Sequence, residues 1–216
     1  NNPAQAFQLL EEGRLRFPND HVFPTMQANF YSQQGDQKRA LQIAQRALRW
    51  WPKDPEIYVT LAIIHFRMNK PQKAMQYRIK AFFRFPDLGA SDDKRDGLND
   101  MIRELARYNH RAQVLKSFST YLQNPSAQAY SDPRRISMLV YKWTQSTPLE
   151  DQESWESLMN VARLTWTLHR QDPYAHALLA FVYLDGPKND LQQAFNHAKI
   201  ALRLDPKNDL ARVVLE

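Results

Sequence analysis

Two consecutive segments of this chain, residues 21–54 and 55–88, align with each other without a gap. Every matched pair is separated by 34 residues, and the matches include small residues, turn residues and a proline near each end. A fixed period between about 20 and 50 residues is the sequence signature of a stacked structural repeat. This period constrains the fold more than any other feature of the chain. The matched pairs are Ala28 with Ala62, Tyr31 with His65, Gly35 with Asn69, Ala40 with Ala74, Ala47 with Ala81 and Pro52 with Pro86.

Each segment has the pattern of two helices joined by a tight turn. Gly35 supplies the backbone freedom that such a turn requires, and Asn69 stands at the same position in the second segment. Pro71 suits the first turn of the following helix, whereas Pro52 and Pro86 end the second helix of each segment because proline lacks the backbone amide. The chain contains 5 glycines among 216 residues and no long alternating run, so we expect helices rather than strands.

The pattern resembles the tetratricopeptide repeat, a helix–turn–helix unit of about 34 residues with small residues at fixed positions and a proline near its end. The segment that begins at Pro55 fits this pattern, and a C-terminal segment that begins at Pro173 fits it again with about two extra residues in its turn. The resemblance implies an all-α fold, a right-handed α-solenoid of antiparallel helix pairs. The residues that carry it are Leu61, Ala62, Ala74, Ala81 and Pro86 in the first of these segments, and Leu179, Ala180, Tyr183, Ala194, Ala201 and Pro206 in the second.

The repeat pattern divides the chain into four parts. Residues 1–18 resemble the second helix of a repeat whose first helix would lie upstream, so we expect this chain to be a fragment of a longer protein. Residues 21–88 form two well-formed repeats, and residues 89–172 form degenerate helical repeats. Residues 173–216 contain a further repeat, followed by the start of another helix or of a capping helix.

The net positive charge of the chain lies in its first part. Residues 1–88 contain 13 basic and 7 acidic residues, a net charge of +6, whereas residues 89–216 contain 16 of each. Between Arg67 and Pro86 there are six basic residues and no acidic one, and we call these six the basic set. The basic set is either a solvated helix face without a function or an electrostatic footprint for an anionic polymer or a membrane-associated complex. It consists of Arg67, Lys70, Lys73, Arg78, Lys80 and Arg84.

The sequence offers no basis for catalysis or metal binding. Cys is absent, which excludes disulfides and thiolate ligands, and the six histidines show no spacing typical of metal ligands. There is no glycine-rich phosphate loop and no nucleophile-elbow pattern. We therefore predict a protein without catalytic residues, metal site or cofactor. The absence of Cys fits a bacterial protein that faces an oxidising periplasm, but chance explains it as well, so the compartment stays open.

The resemblance places the binding surface on the first helix of each repeat. In this family the first helices line a concave groove, so partner-binding residues are expected at the corresponding positions of this chain. Phe66 and Phe181 are large apolar residues that packing within a repeat does not require, which makes them candidates to grip a partner. The alternative is that the following helix covers them. The predicted groove residues are Asn29, Gln33, Val59, Ile63, Phe66, Arg67, Tyr174 and Phe181.

These observations lead to one expected function and one alternative. The expected function is a non-catalytic scaffold whose groove binds a peptide or helix of another protein. The alternative is a polymer- or surface-binding module of a bacterial envelope or exopolysaccharide assembly, which would use the basic first third of the chain. Aromatic residues interleave with the basic set, but their spacing suits core packing, so nucleic acid is not an expected partner. Self-association through exposed repeat ends stays open.

Overall fold

The fold is built from helices joined by short turns. None of the residues that the structure describes lies in a strand, and the predicted all-α fold of helix pairs is confirmed. The chain divides into two compact units, Asn1–Pro86 and Asp87–Glu216, and each is described by itself. The structure, a computed structural model, describes residues 3–84, 111–146, 149–187 and 189–216.

The first unit contains one helix followed by two helix pairs. Its helices are α1 (Pro3–Arg16), α2 (Val22–Gln33), α3 (Gln37–Trp50), α4 (Pro55–Arg67) and α5 (Pro71–Phe82). Helices α2 and α3 form the first pair, and α4 and α5 form the second. Because only short turns join the packed helices of a pair, they run antiparallel. Helix α4 also packs on both α2 and α3, which joins the two pairs into one stack.

Local chemistry explains where these helices begin and how the turns close. Asp36 and Asp54 occupy the N-caps of α3 and α4, where their carboxylates accept hydrogen bonds from backbone amides of the first turn at 3.0 and 2.8 Å. Pro55 stands at the first position of α4, where its missing amide costs nothing. Gly35 and Asn69 both adopt a left-handed backbone, with φ of 86° and 55°. The two turns therefore place a left-handed residue at the same repeat position, as their alignment predicts.

Small residues fill the crossing points of the helices in this unit. Ala28, Ala40 and Ala47 are buried, and they form one apolar cluster with Leu61 and neighbouring residues of α4. A larger side chain at these crossings would push the helices apart, since protein interiors have few voids. The alanines that recur with the repeat period thus set the distance between the helices.

The second unit contains a further series of helices. Helix α6 packs most extensively on α9, and α8 packs on α10. A short helix, α7, lies between α6 and α8. Residues 96–109, whose apolar residues at three- and four-residue spacing predict a helix, lie outside the described residues. The helices are α6 (Arg111–Gln123), α7 (Pro125–Gln128), α8 (Pro133–Ser146), α9 (Gln152–Leu168), α10 (Pro173–Asp185), α11 (Leu191–Leu204) and α12 (Asp209–Leu215).

The C-terminal helix pair, α10 and α11, repeats the local chemistry of the first unit. Asp172 caps α10 before a proline, Asp190 caps α11 and Asn208 caps α12, each through its own side chain. Helix α10 is buried along most of its length because α8, α9, α11 and α12 all pack against it. None of the helices in the described part of the chain combines the length and apolar character that crossing a bilayer needs.

Candidate functional site on helices α2 and α4

The first helices of the two N-terminal repeats present a shared surface, which we call the α2–α4 face. On α2, Asn29 and Gln33 are four residues apart and so lie on one side of the helix. On α4, Phe66 and Arg67 follow Ile63 by three and four residues, so each neighbours Ile63 on the helix surface. Packing of α4 on α2 brings these two sides together. Five of the eight predicted groove residues therefore belong to one surface.

Two hydrogen bonds tie the helices of this face to each other. The Asn29 side-chain amide donates to Thr60 Oγ1 at 3.3 Å, and the Arg67 guanidinium donates to Ser32 Oγ at 2.9 Å. Thr60 and Ser32 are buried, so both acceptors lie beneath the surface rather than in solvent. These bonds fix the spacing of α2 and α4, and they hold Asn29 and Arg67 in defined positions. These hydrogen bonds could not be predicted from the sequence, although their partners, 31 and 35 residues apart, are separated by about one repeat period.

Apolar side chains of different exposure accompany these polar groups. Phe66 is 61% exposed, an unusual exposure for a large aromatic residue in a helix that otherwise buries its apolar residues. Ile63 is half-buried beside it, and Gln33 and Arg67 are exposed. Val59 is buried, so it supports the face from below and offers no surface to a partner. The face thus combines one protruding aromatic ring with a cation and two amide side chains.

The two predicted groove residues of the second unit lie in a different setting. Phe181 is only 2% exposed, because its ring packs edge-on against Tyr141 of α8 with 5.7 Å between the ring centroids. Tyr174 is half-buried, and the Arg134 guanidinium lies 5.5 Å from the centre of its ring. The alternative expectation, that a neighbouring helix covers the aromatic residue, describes Phe181. A partner therefore cannot reach Phe181 in this structure, and the α2–α4 face is the better candidate surface.

The structure divides the basic set among different environments. Lys80 and Arg84 lie over the rings of Tyr77 and Tyr58, at 5.4 and 4.6 Å from the ring centroids. Burial, and next to it the charge of Arg84, lower the pKa of Lys80. Arg84 thus packs on a ring of α4, whereas Lys80 packs on a ring of its own helix, α5. They are not arranged as the continuous charged surface that binding of a long polyanion would use.

A separate pair of histidines, which the sequence did not single out, joins α10 to α11. The Nδ1 atoms of His176 and His197 are 2.9 Å apart, and His176 Nε2 lies 2.9 Å from the Arg170 carbonyl oxygen. Because a carbonyl oxygen only accepts, His176 Nε2 is the donor in the bond to Arg170, and the second hydrogen bond joins the Nδ1 atoms of the two rings. Burial, followed by the neighbouring His176, lowers the pKa of His197. The histidine pair is therefore a structural link between α10 and α11.

The described residues contain no other arrangement that points to chemistry. Among them there is no cluster of three or more histidine, aspartate or glutamate residues that could hold a metal ion. Several aspartates cap helices, and other ionisable side chains form exposed pairs, such as Arg39 with Asp36. The α2–α4 face itself combines one exposed aromatic ring with polar side chains held by hydrogen bonds.

Comparison with known proteins identifies the repeats. Residues 31–77 match the family model described as tetratricopeptide repeat. No curated protein matches the chain. A solved structure, "Crystal structure of APC/C hetero-tetramer Cut9-Hcn1", aligns with 99% of this chain and 39% of its own chain, at 15% sequence identity and a TM-score of 0.40. The chain thus spans well under half the length of that matched chain. The repeat pattern is thus supported by a family match at residues 31–77, which lie within the first unit.

Proposed function

We propose that this protein is a non-catalytic scaffold that holds a peptide or helix of a partner protein on the α2–α4 face. Tetratricopeptide repeats generally act as non-catalytic interaction modules and typically bind other proteins. The observation that carries the choice of this face is Phe66, which is 61% exposed on a surface whose two helices are tied together by hydrogen bonds.

The composition of the face suits a recognition surface. Protein interfaces concentrate their binding energy in a few aromatic and arginine residues near the centre of the contact. Phe66 and Arg67 are such residues, and Asn29 and Gln33 are polar groups that can surround them. Because Asn29 and Arg67 are already held by Thr60 and Ser32, less conformational entropy is lost when a partner binds.

A comparison of two exposed aromatic residues tests the face. Phe66→Ala removes the ring from the α2–α4 face, and Trp50→Ala removes a ring that is 73% exposed at the end of the second helix α3. We expect Phe66→Ala to weaken the binding of a captured partner by about 2 kcal/mol, roughly thirtyfold in Kd, and Trp50→Ala to have little effect on this binding. Affinity capture with the intact chain, followed by quantitative mass spectrometry, identifies the partner, and titration calorimetry measures both variants.

The result that would reject the proposal is equally specific. If Phe66→Ala retains its helicity by circular dichroism and recovers the same partners at the same affinity, the partner does not bind on the α2–α4 face. If the Phe66 and Trp50 variants lose the same amount of affinity, the partner adheres nonspecifically to exposed aromatic rings. The alternative, binding of an anionic polymer, has less support because Lys80 and Arg84 lie over tyrosine rings.

A further inference from the structure

Three members of the basic set lie at the junction between α4 and α5, and we call them the basic corner: Arg67, Lys70 and Lys73. Arg67 is the last residue of α4, Lys70 is the N-cap of α5 and Lys73 lies in the first turn of α5. The turn between the helices is compact, because the Lys70 amide donates to the His65 carbonyl at 2.9 Å and the Ala74 amide donates to the Lys70 carbonyl at 3.0 Å. The three cations are therefore confined to one corner of the first unit.

Comparison with the preceding repeat shows that this corner departs from the local rule for starting a helix. One period earlier, Asp36 occupies the position of Lys70, caps α3 and pairs with Arg39, which occupies the position of Lys73. Asp190 caps α11 in the same way, whereas Lys70 makes no side-chain cap on α5. A lysine here gives up a stabilising cap and places a cation at the positive end of a helix dipole. Local stability does not explain a lysine at this position.

The charges of the corner are not neutralised within the described residues. There, none of the three cations forms an ion pair with a carboxylate, and Arg67 donates to the neutral hydroxyl of Ser32. The buried His65 reports this charge: burial lowers its pKa, and Lys73 and then Lys70 lower it further. In contrast, Arg39 and Lys116 have carboxylate partners, Asp36 and Glu153. The corner therefore keeps a positive potential that an anion would relieve.

We propose that the basic corner binds carboxylate side chains of a protein segment whose apolar residue contacts Phe66. This inference rests on the proposed function, because it places the partner segment on the same α2–α4 face. Arg67 belongs to both the basic corner and the α2–α4 face, so a segment that carries an acidic residue close to an apolar one can contact both. The corner suits a short acidic segment better than a long polyanion, since Lys80 and Arg84 pack over tyrosine rings instead of extending the charged surface.

Selection of peptides on the intact chain tests this inference without knowledge of the natural partner. A phage-displayed library of 12-residue peptides is panned against the wild-type chain and against three variants. Lys70→Asp reverses the charge and restores the cap that Asp36 makes one repeat earlier, so this variant is expected to unfold at the same or a higher urea concentration. Lys53→Asp makes the same charge change at an exposed residue in the turn before α4 and serves as the matched control. Phe66→Ala tests the face itself.

The expected result is a set of wild-type binders enriched in Asp and Glu beside an aromatic or aliphatic residue. A selected peptide, synthesised with a fluorescent label, should bind Lys70→Asp about tenfold more weakly and Lys53→Asp almost unchanged by anisotropy. A peptide whose Glu and Asp are replaced by Gln and Asn should bind the wild-type chain about as weakly as the original peptide binds Lys70→Asp. The same replacement should weaken binding to Lys70→Asp little further. Binding of the acidic peptide should also raise the pKa of His65, measured by NMR, because the carboxylates offset the charges of Lys70 and Lys73.

Each contrary outcome identifies what fails. Selected peptides without acidic enrichment, or an acidic peptide that binds Lys70→Asp as tightly as wild type, would show that the basic corner does not bind carboxylates. If Phe66→Ala alone weakens the binding of the peptide, the α2–α4 face is still supported. Failure to select any peptide, or binding that Phe66→Ala leaves unchanged, overturns the face and the corner together. If heparin or a 20-nucleotide single strand displaces the peptide and binds Lys53→Asp and Lys70→Asp equally weakly, the ligand is a polyanion held by net charge, and the inference is wrong.

Discussion

Helices α4 and α10 begin alike but expose different surfaces. Each begins with a proline after an aspartate N-cap, and each is the first helix of a packed pair. Ile63 and Phe181 are both the ninth residue of their helix, yet Ile63 is half-buried whereas Phe181 is 2% exposed. The difference arises from neighbouring helices, since α8, α9 and α12 cover α10 in addition to its partner α11. A repeat position therefore fixes where a side chain points, and the neighbouring elements decide whether a partner can reach it.

The first test of this comparison, with the largest expected effect on stability, replaces Phe181. Phe181→Ala leaves a cavity against Tyr141, and we expect it to lower the free energy of unfolding by about 3–5 kcal/mol. Phe66→Ala removes a mostly exposed ring and should cost less than about 1 kcal/mol. Urea unfolding followed by circular dichroism measures both. Phe195→Ala, in the adjacent helix α11 and 45% exposed, is the matched control within the same repeat. Equal costs for Phe181 and Phe66 would contradict the burial on which the comparison depends.

The second test compares the starts of helices α3 and α5. Asp36→Ala removes the carboxylate that accepts from the Arg39 amide, so the free energy of unfolding should fall by about 1 kcal/mol. Lys70→Ala removes no cap and relieves repulsion, so stability should stay the same or rise by a few tenths of a kcal/mol. Thermal unfolding of both variants, each beside wild type, measures the difference. A destabilising Lys70→Ala would show that this lysine has a structural role that its contacts do not reveal.

The third test uses the two histidines whose pKa is lowered, His65 in the first unit and His197 in the second. Burial is the main cause for both, but the second cause is Lys73 for His65 and His176 for His197. A histidine with a lowered pKa takes up its proton more readily when the chain is unfolded, so stability is lost as the pH falls below about 6.5. We expect Lys73→Gln to raise the pKa of His65 and leave that of His197 unchanged in NMR titrations. His176→Gln should raise the pKa of His197 and leave that of His65 unchanged.

Much of the repeat architecture could be predicted from the sequence, because short-range chemistry determines it. The turns at Gly35 and Asn69, the alanine crossings and the prolines depend on residues within one period, and all have local physical causes. The burial of Phe181 depends instead on Tyr141, forty residues earlier in a stretch where the repeat pattern is weak. No local pattern contains that information.

The polar details of the candidate site escaped prediction for a related reason. Asn29 and Arg67 are groove residues by position, but their bonds to Thr60 and Ser32 depend on how closely α2 and α4 pack. The division of the basic set likewise depends on which cations lie over tyrosine rings, and these contacts follow from side-chain geometry rather than spacing. The composition shows that this region is positively charged. Only the packed helices show which of its cations lie over aromatic rings and which do not.

The smallest expected effect concerns the ion pair between Lys116 of α6 and Glu153 of α9, whose side chains are 55% and 66% exposed. Its Nζ–Oε1 distance is 2.6 Å, yet water and salt screen exposed charges, so Glu153→Gln should change the free energy of unfolding by less than about 1 kcal/mol. The same interface buries Leu115 and Leu158, and Leu158→Ala should cost about 2–5 kcal/mol. Repeating both measurements in 1 M NaCl should abolish the first effect and preserve the second. A Glu153 effect that persists in high salt would mean that electrostatics, rather than apolar burial, holds α6 against α9.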